Sequence, residues 1–556
     1  MRQVDGLMAN TILALSQRVT NDERRATSEE RLLVTRRSSL VTLFLLLFAA
    51  AILHSAWLSD DAYITFRVVD NAVAGLGLTW NPAERVQGYT HPLWLFVLLA
   101  GRLVTGELYY TTIALSVALS LGAAWLLAFR LGATWPAAVL GLLVLALSRA
   151  FVDFSTSGLE NALSHFLLAA FLCVWFDLFS AARHSPPTTH PLIILALLAG
   201  LLALNRLDAL LLVAPALGWA LWRQWSARAL LAVALGLLPL VLWTGFSLFY
   251  YGFPFPNTAY AKLATGIPSA ELARQGGLYL LNSLRWDPLT LATIAAAIIW
   301  AVAARAVAAR RVAALAVTVG IVLYLIYIVR IGGDFMSGRF LTLPLLAAVA
   351  VLLAGPGKDS RTVMAQPRQW RVAVAAALIL LLAAIGHLPV LLAGSPTGDA
   401  ARRDGDIADE RAYYTPHTGL FADRVIHPWA EQGLVLHAAG PAVVEHGNVG
   451  FLGYYAGPAV HIIDRNGLTD PLLARLPVRD LANWRIGHFR REVPAGYADT
   501  LRSGQNVIQD ANLAAFYERL RRVTRGPLWN TERLREIWRL NVAQDSYPVL
   551  PEKSTG

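Results

Sequence analysis

Cysteine is nearly absent from this chain: a single one, Cys173, lies within an apolar run. That excludes a disulfide framework and a cysteine-built metal site. Charge is also scarce, at 15% of 556 residues, against about 25% in an average soluble domain. With 56% hydrophobic residues, the chain reads as a polytopic membrane protein. Lysine is rare, so arginine supplies most of the cations behind a net charge of +10. The arginines punctuate apolar runs and form no stripe with interleaved aromatics. This argues against nucleic acid and for the positive-inside effect. The first apolar run is long and lacks a small-residue cleavage site, so it reads as a retained span and not a signal peptide. No internal repeat is evident, which counts against inverted-repeat transporter folds.

Apolar runs are present near 39–58, 91–104, 108–130, 134–149, 161–182, 191–204, 207–222, 228–250, 289–304, 312–330, 340–355 and 371–395. Arg183, Arg223 with Arg228, Arg305 with Arg310 and Arg311, and Lys358 through Arg371 fall in alternate connections, which are therefore cytoplasmic. Working back from these, residues 59–107 lie wholly outside, so the run at 91–104 does not cross. At about 14 residues it suits an interfacial helix better than a span. The reading is about eleven crossings in 39–395, a basic cytoplasmic segment at 1–38, and an extracytoplasmic α/β domain at 396–556. Strand-like AVVEHG (442–447) and AVHIID (459–464) mark that domain.

Polar clusters gather on the outward side, each tight against a span: SDDAYITFR (59–67), GYTHPLW (88–94), STSGLEN (155–161), NRLD (205–208), FPNTAYAK (255–262) and RIGGDFMSGRF (330–340). The cytoplasmic connections offer only arginines and prolines. A one-faced layout of acids and cations suits an anionic lipid head group from which something is transferred; a flippase would spread polar groups through the membrane. Arg206, Lys262 and Arg339 are natural phosphate partners. A carboxylate near the acceptor serves as general base. Asp60 also suits an N-cap, and Asp61 suits holding a metal, orienting the acceptor or pairing with Arg67. His91, Glu160, Asp208 and Asp334 are candidates whose simpler readings are caps, turns and ion pairs. His446 and Asp464 sit at strand ends, where α/β domains place functional groups.

The order of span, adjacent acids, outward loop and interfacial helix resembles the GT-C superfamily of membrane glycosyltransferases. DDAYITFRVVDNAVAGLGLTWNPAERVQGYTHPLW (60–94), SGLEN (157–161), FPNTAYAK (255–262), GGDFMSGR (332–339) and DRNGLTDP (464–471) look like one group within it. That group holds the mycobacterial terminal β-(1→2)-arabinofuranosyltransferase and a pilin-modifying arabinofuranosyltransferase. The resemblance implies a polyprenyl-phospho-arabinofuranose donor, inversion at the anomeric carbon, and a glycan or protein acceptor. It implies transfer at the periplasmic face of a bacterial cytoplasmic membrane. Asp60 is then the general base with Asp61 beside it, and Arg67, His91, Glu160, Arg206, Lys262, Asp334 and Arg339 bind the donor. His446, Asp464 and Arg465 bring the outer domain to the cavity. A divalent metal is an open expectation. Another lipid-linked sugar (mannose or aminoarabinose), or a lipid-linked glycan flippase, is the alternative.

Overall fold

The computed structural model describes residues 39–132, 134–181, 189–263, 265–303, 308–354, 369–393, 403–404 and 406–542. The basic segment 1–38 and the connections carrying Arg183, Arg305 and Lys358 lie outside them.

Leucine, alanine and valine dominate the first half, and their runs fold as helices. These are α1 (Ser39–His54), α2 (Asp60–Val73), α3 (Pro92–Thr105), α4 (Tyr109–Trp125, prolonged by a π-helical turn Leu126–Leu131), α5 (Trp135–Leu147), α6 (Arg149–Asp153), α7 (Asn161–Ala181), α8 (His190–Asn205) and α9 (Leu210–Arg223). They continue as α10 (Ala227–Gly236), α11 (Leu238–Tyr250), α12 (Asn257–Leu263), α13 (Ser269–Trp286), α14 (Pro288–Ala303), α15 (Ala308–Ile331), α16 (Thr342–Leu353), α17 (Gln369–Ile385) and α18 (Leu388–Ala393). Tyr109–Leu131, Asn161–Phe179 and Arg310–Ile331 are each long and apolar enough to cross a bilayer alone. The pairs α10–α11, bent by 53°, and α13–α14, bent by 108°, qualify together. Among the described residues, length alone thus supports three to five crossings, and further predicted spans fall on shorter apolar helices. The bends have ordinary causes: Pro239 opens α11 and Pro288 opens α14, where a missing N–H costs no helical bond.

α3 is found where a short helix was expected. α13 was not foreseen: within the predicted outward connection 251–288 lies an 18-residue helix with Gln275, Tyr279 and Asn282 on its buried side. In the bundle α7 packs against α4, α8 and α16, and α15 against α9. Gly320 of α15 lies flush on α9, where any β-carbon would strike the Leu212 carbonyl. Small residues permit such close approach between helices in membranes.

Beyond residue 403 the chain is polar. Strand β1 (Arg403–Asp404) pairs antiparallel with β2 (Ile407–Ala408). Then come α19 (Glu410–Thr418), α20 (Pro428–Ala439), β3 (Ala442–His446), α21 (Phe451–Ala456), β4 (Val460–Asp464), α22 (Tyr497–Ser503), α23 (Ala511–Arg525) and α24 (Thr531–Asn541). The two expected strands form and pair in parallel, Ala442 opposite Val460 and His446 opposite Asp464. A core of Leu472, Tyr497, Phe516, Tyr517 and Leu520 lies beside them. The α/β description holds thinly, because helices outweigh this one small parallel sheet.

Three buried side chains fasten the outer segment to the helices. Asn257 donates to the carbonyls of Gly467 (2.8 Å) and Asp470 (2.9 Å). Arg533 donates to the carbonyls of Phe249 (2.8 Å) and Tyr250 (2.9 Å). Arg67 donates from α2 to Gly453 O (2.6 Å) and Val460 O (2.8 Å). Its donation to Trp80 O (2.9 Å) and its stacking on the Trp80 ring at 4.2 Å complete that anchor.

Candidate active site

Asp60 and Asp61 open α2, where carboxylates favour the positive end of the helix dipole. Both line a cavity of about 620 Å³ between the helices and the outer segment. Asp60 is 7% exposed, and its Oδ1 accepts from the N–H of Phe451, the first residue of α21, at 2.6 Å. Burial pushes its carboxyl up to about 7, with Asp61 adding to the effect and the Phe451 and Gly450 N–H groups opposing it. Asp61 is raised by burial too, but Arg339 and Lys262 draw it down. Among the described residues its carboxylate has no hydrogen-bond partner. Asp61 does not pair with Arg67, whose donors all go to backbone carbonyls. Arg67, expected on the substrate, is instead the anchor described above.

Six of the expected residues meet near this pair. Glu160, at the mouth of α7, takes Arg339 at 3.0 Å, Arg206 at 3.3 Å and His91 at 3.4 Å. Arg339 also faces Asp334 at 3.7 Å, and Arg206 grips Asp208 at 3.0 Å. Burial alone would raise Glu160, but Arg339, His91 and Arg206 outweigh it and hold the carboxyl at about 2. Burial lowers His91 to about 4, so the ring is neutral at pH 7 and its contact with Glu160 is no ion pair. Thr65 Oγ1 fixes the other side of the ring, 2.8 Å from Nε2. Both arginines are therefore already committed to carboxylates. Lys262 is not: among the described residues it makes no hydrogen bond or ion pair, yet its charge reaches Asp61.

Of the outer-domain candidates, none lines the cavity, although their neighbours Gly447, Asn448 and Asn466 do. His446 Nδ1 turns to the backbone of Asn448, at 3.0 Å from its N–H. Asp464 is wholly buried and accepts from the N–H groups of Asn466 and Thr469, both at 2.9 Å, holding its own turn. Arg465 points outward to Glu445 at 3.2 Å.

The cavity also has walls that no sequence motif announced. Asp409 and Glu410 come from the start of α19; Arg479, Arg485, His488 and Arg490 come from the loop after Leu476; Tyr413, Tyr414 and Trp429 add aromatic surface. The only signal for the loop was its arginine density in VRDLANWRIGHFRRE (478–492), and a dense run of arginines is more often a solvated face. A second cavity of about 720 Å³ opens on the far side of Phe451, lined by Tyr63, Tyr109, His427 and Tyr455. It lacks buried acids: Glu107 caps the start of α4 and Asp423 is exposed. Of these two cavities, the first is the one lined by buried acids. Among the described residues no group of three or more His, Cys, Asp and Glu side chains is disposed to hold a metal ion.

An acid poised near neutrality, a second carboxylate beside it and Arg479, Arg485 and Arg490 lining the same cavity suit proton removal from a hydroxyl, with stabilisation of an anionic leaving group. No family model matches the chain. It is similar to the terminal β-(1→2)-arabinofuranosyltransferase of Mycobacterium tuberculosis, 30% identical over 527 residues, covering 79% of this chain and 81% of that protein. The enzyme of the same name from Corynebacterium glutamicum is 28% identical over 526 residues, covering 78% and 72%. Among solved structures, ArnT from Cupriavidus metallidurans bound to undecaprenyl phosphate aligns with a TM-score of 0.47 at 13% identity, over 78% of this chain and 86% of that one. The archaeal oligosaccharyltransferase AglB from Archaeoglobus fulgidus, in complex with an inhibitory peptide and a dolichol-phosphate, aligns with a TM-score of 0.46 at 11% identity. That alignment covers 79% of this chain but 65% of AglB, just under two thirds.

Proposed function

The chain belongs to the family of terminal β-(1→2)-arabinofuranosyltransferases, and from that premise we propose that it transfers D-arabinofuranose from a polyprenyl-phosphate donor to a cell-envelope glycan or protein. Transfer takes place on the periplasmic side of the cytoplasmic membrane and inverts the anomeric carbon. One observation carries the reading: a single cavity joins the paired acids Asp60 and Asp61 to Arg479, Arg485 and Arg490, with uncommitted Lys262 close enough to act on Asp61.

In this reaction the acceptor hydroxyl gives its proton to the Asp60 carboxylate, while Phe451 N–H holds Oδ1 in place. The hydroxyl oxygen bonds to the anomeric carbon as the bond from that carbon to the phosphate oxygen breaks. Polyprenyl phosphate leaves with the electron pair, its growing charge met by Lys262 and Arg485. A phosphate is already a good leaving group and needs little acid assistance. The Glu160–Arg206–Arg339 cluster fixes Asp334 and the floor beneath Asp61, a supporting role for residues expected to touch phosphate directly. His91, neutral and hydrogen-bonded to Thr65, belongs to the same floor.

The test is a membrane assay of radiolabelled polyprenyl-phosphate sugars with endogenous acceptors, followed by sugar analysis of the product. Label is expected in arabinofuranose with an inverted anomeric centre. Transfer from a mannosyl or aminoarabinosyl donor in its place would overturn the sugar. Translocation of donor without transfer would overturn the reaction.

A further inference from the structure

A third carboxyl faces the cavity beside the paired acids and has no part in the reaction just described. Glu410 opens α19, and the backbone that presents it is held on both sides. Before it, Ala408 N–H donates to Phe335 O at 2.8 Å and Ser337 N–H to Ala408 O at 2.9 Å, pinning it to the loop that carries Asp334. Asp409 caps Ala412 N–H at 3.1 Å and pairs with Arg149, and Arg411 pairs with Asp153 at 2.7 Å. Its neighbours are thus committed to packing. The Glu410 carboxyl is not: among the described residues it has no hydrogen-bond or ion-pair partner, although it lines the cavity.

The charged groups facing it are Asp61 and Asp60 from α2, Asp334 from the loop before α16, and Arg485 from the loop after Leu476. Burial raises its carboxyl well above the usual range, with Asp61 adding and Arg485 opposing. In its protonated form a carboxyl both donates and accepts, as does a sugar hydroxyl. Asn448, Asn466 and Asn483 line the same cavity and also offer both. Such walls offer hydrogen-bonding partners to a polyhydroxylated ring.

We propose that Glu410 holds a hydroxyl of the sugar being transferred and so helps to decide which sugar the cavity accepts. This rests on the glycosyl-transfer reading above. The experiment compares the purified full-length protein with its Glu410→Gln and Glu410→Ala variants, using polyprenyl-phospho-arabinofuranose and its 2-, 3- and 5-deoxy analogues. Truncating a buried partner of a substrate hydroxyl leaves that hydroxyl unpaired, so Glu410→Ala is expected to raise donor KM by roughly tenfold, with kcat changed far less. Glu410→Gln, which keeps a donor and an acceptor, should fall between. With one deoxy donor, the one lacking the held hydroxyl, the wild type and Glu410→Ala should converge. An equal penalty on every donor, or a loss confined to kcat in both variants, would overturn the proposal. A wild-type enzyme inert toward arabinofuranosyl donors would instead sink the underlying sugar assignment. The same deoxy series on the sugar it does transfer then decides Glu410.

Discussion

Asp60 is buried with its Oδ1 held by the Phe451 N–H, and the reactivity proposed for it rests on that arrangement. Asp60→Asn removes the proton acceptor but keeps the size and the hydrogen bond from Phe451. It should lower transfer by at least about 100-fold, the usual contribution of a positioned general base, while the protein still inserts and binds donor; near-normal turnover would refute the role. Because burial lifts Asp60 to about 7, its ionised fraction grows as pH rises through neutrality. The transfer rate should therefore climb between pH 6 and 8 along a limb centred at about 7. Removing the like charge in Asp61→Asn makes Asp60 easier to ionise, so a pH–rate profile of that variant should show the limb moved to lower pH. The acid pair stood out in the sequence because adjacent charges beside a span are costly. The fate of Arg67 was not. Its spacing from Asp61 on one helix suggested a pair, and only the folded outer segment supplies the carbonyls that take its guanidinium.

At the level of elements, the junction that matters is the N-terminus of α2 against that of α21. Gly450 makes it possible: a β-carbon there would collide with the Asp60 backbone carbonyl and approach its carboxyl carbon to 2.5 Å. Gly450→Ala should then push α21 off α2, cutting turnover strongly and lowering the melting temperature of the detergent-purified protein; an unchanged enzyme would mean that the two elements do not need this contact. Arg67→Met takes the guanidinium from the buried carbonyls of Gly453 and Val460, while Trp80 O keeps the Asn71 amide. Hydrogen bonds to a charged group contribute about 1.5–3 kcal/mol each, so thermal unfolding should occur at clearly lower temperature. Strands β3 and β4 were readable because alternating β-branched residues ended in HGN and DRNG turns. α13 was not, because its inward face carries Gln275, Tyr279 and Asn282 while Leu278, Leu281 and Leu284 are exposed, so the segment reads as a loop. The aromatic and basic walls from α19 and the loop after Leu476 escaped for a similar reason: their residue types resemble any solvated surface until the fold sets them over Asp60.

Across the whole molecule, candidate residues from four separate motifs, GYTHPLW, STSGLEN, NRLD and RIGGDFMSGRF, meet around Glu160 near the α2 acids. The outer segment roofs the same cavity. If that face is periplasmic, an alkaline phosphatase fused to the C-terminus should be active in a bacterial host, and an inactive fusion would break the proposed orientation. The hydrogen bond from Phe451 to Asp60 joins residues 391 positions apart. Synthesis therefore delivers the base first and its restraint last. Until the late-made third of the polypeptide has folded back onto the helices, Asp60 lacks both this tether and the roof of its cavity, so a half-assembled protein has no enclosed chamber around its acids.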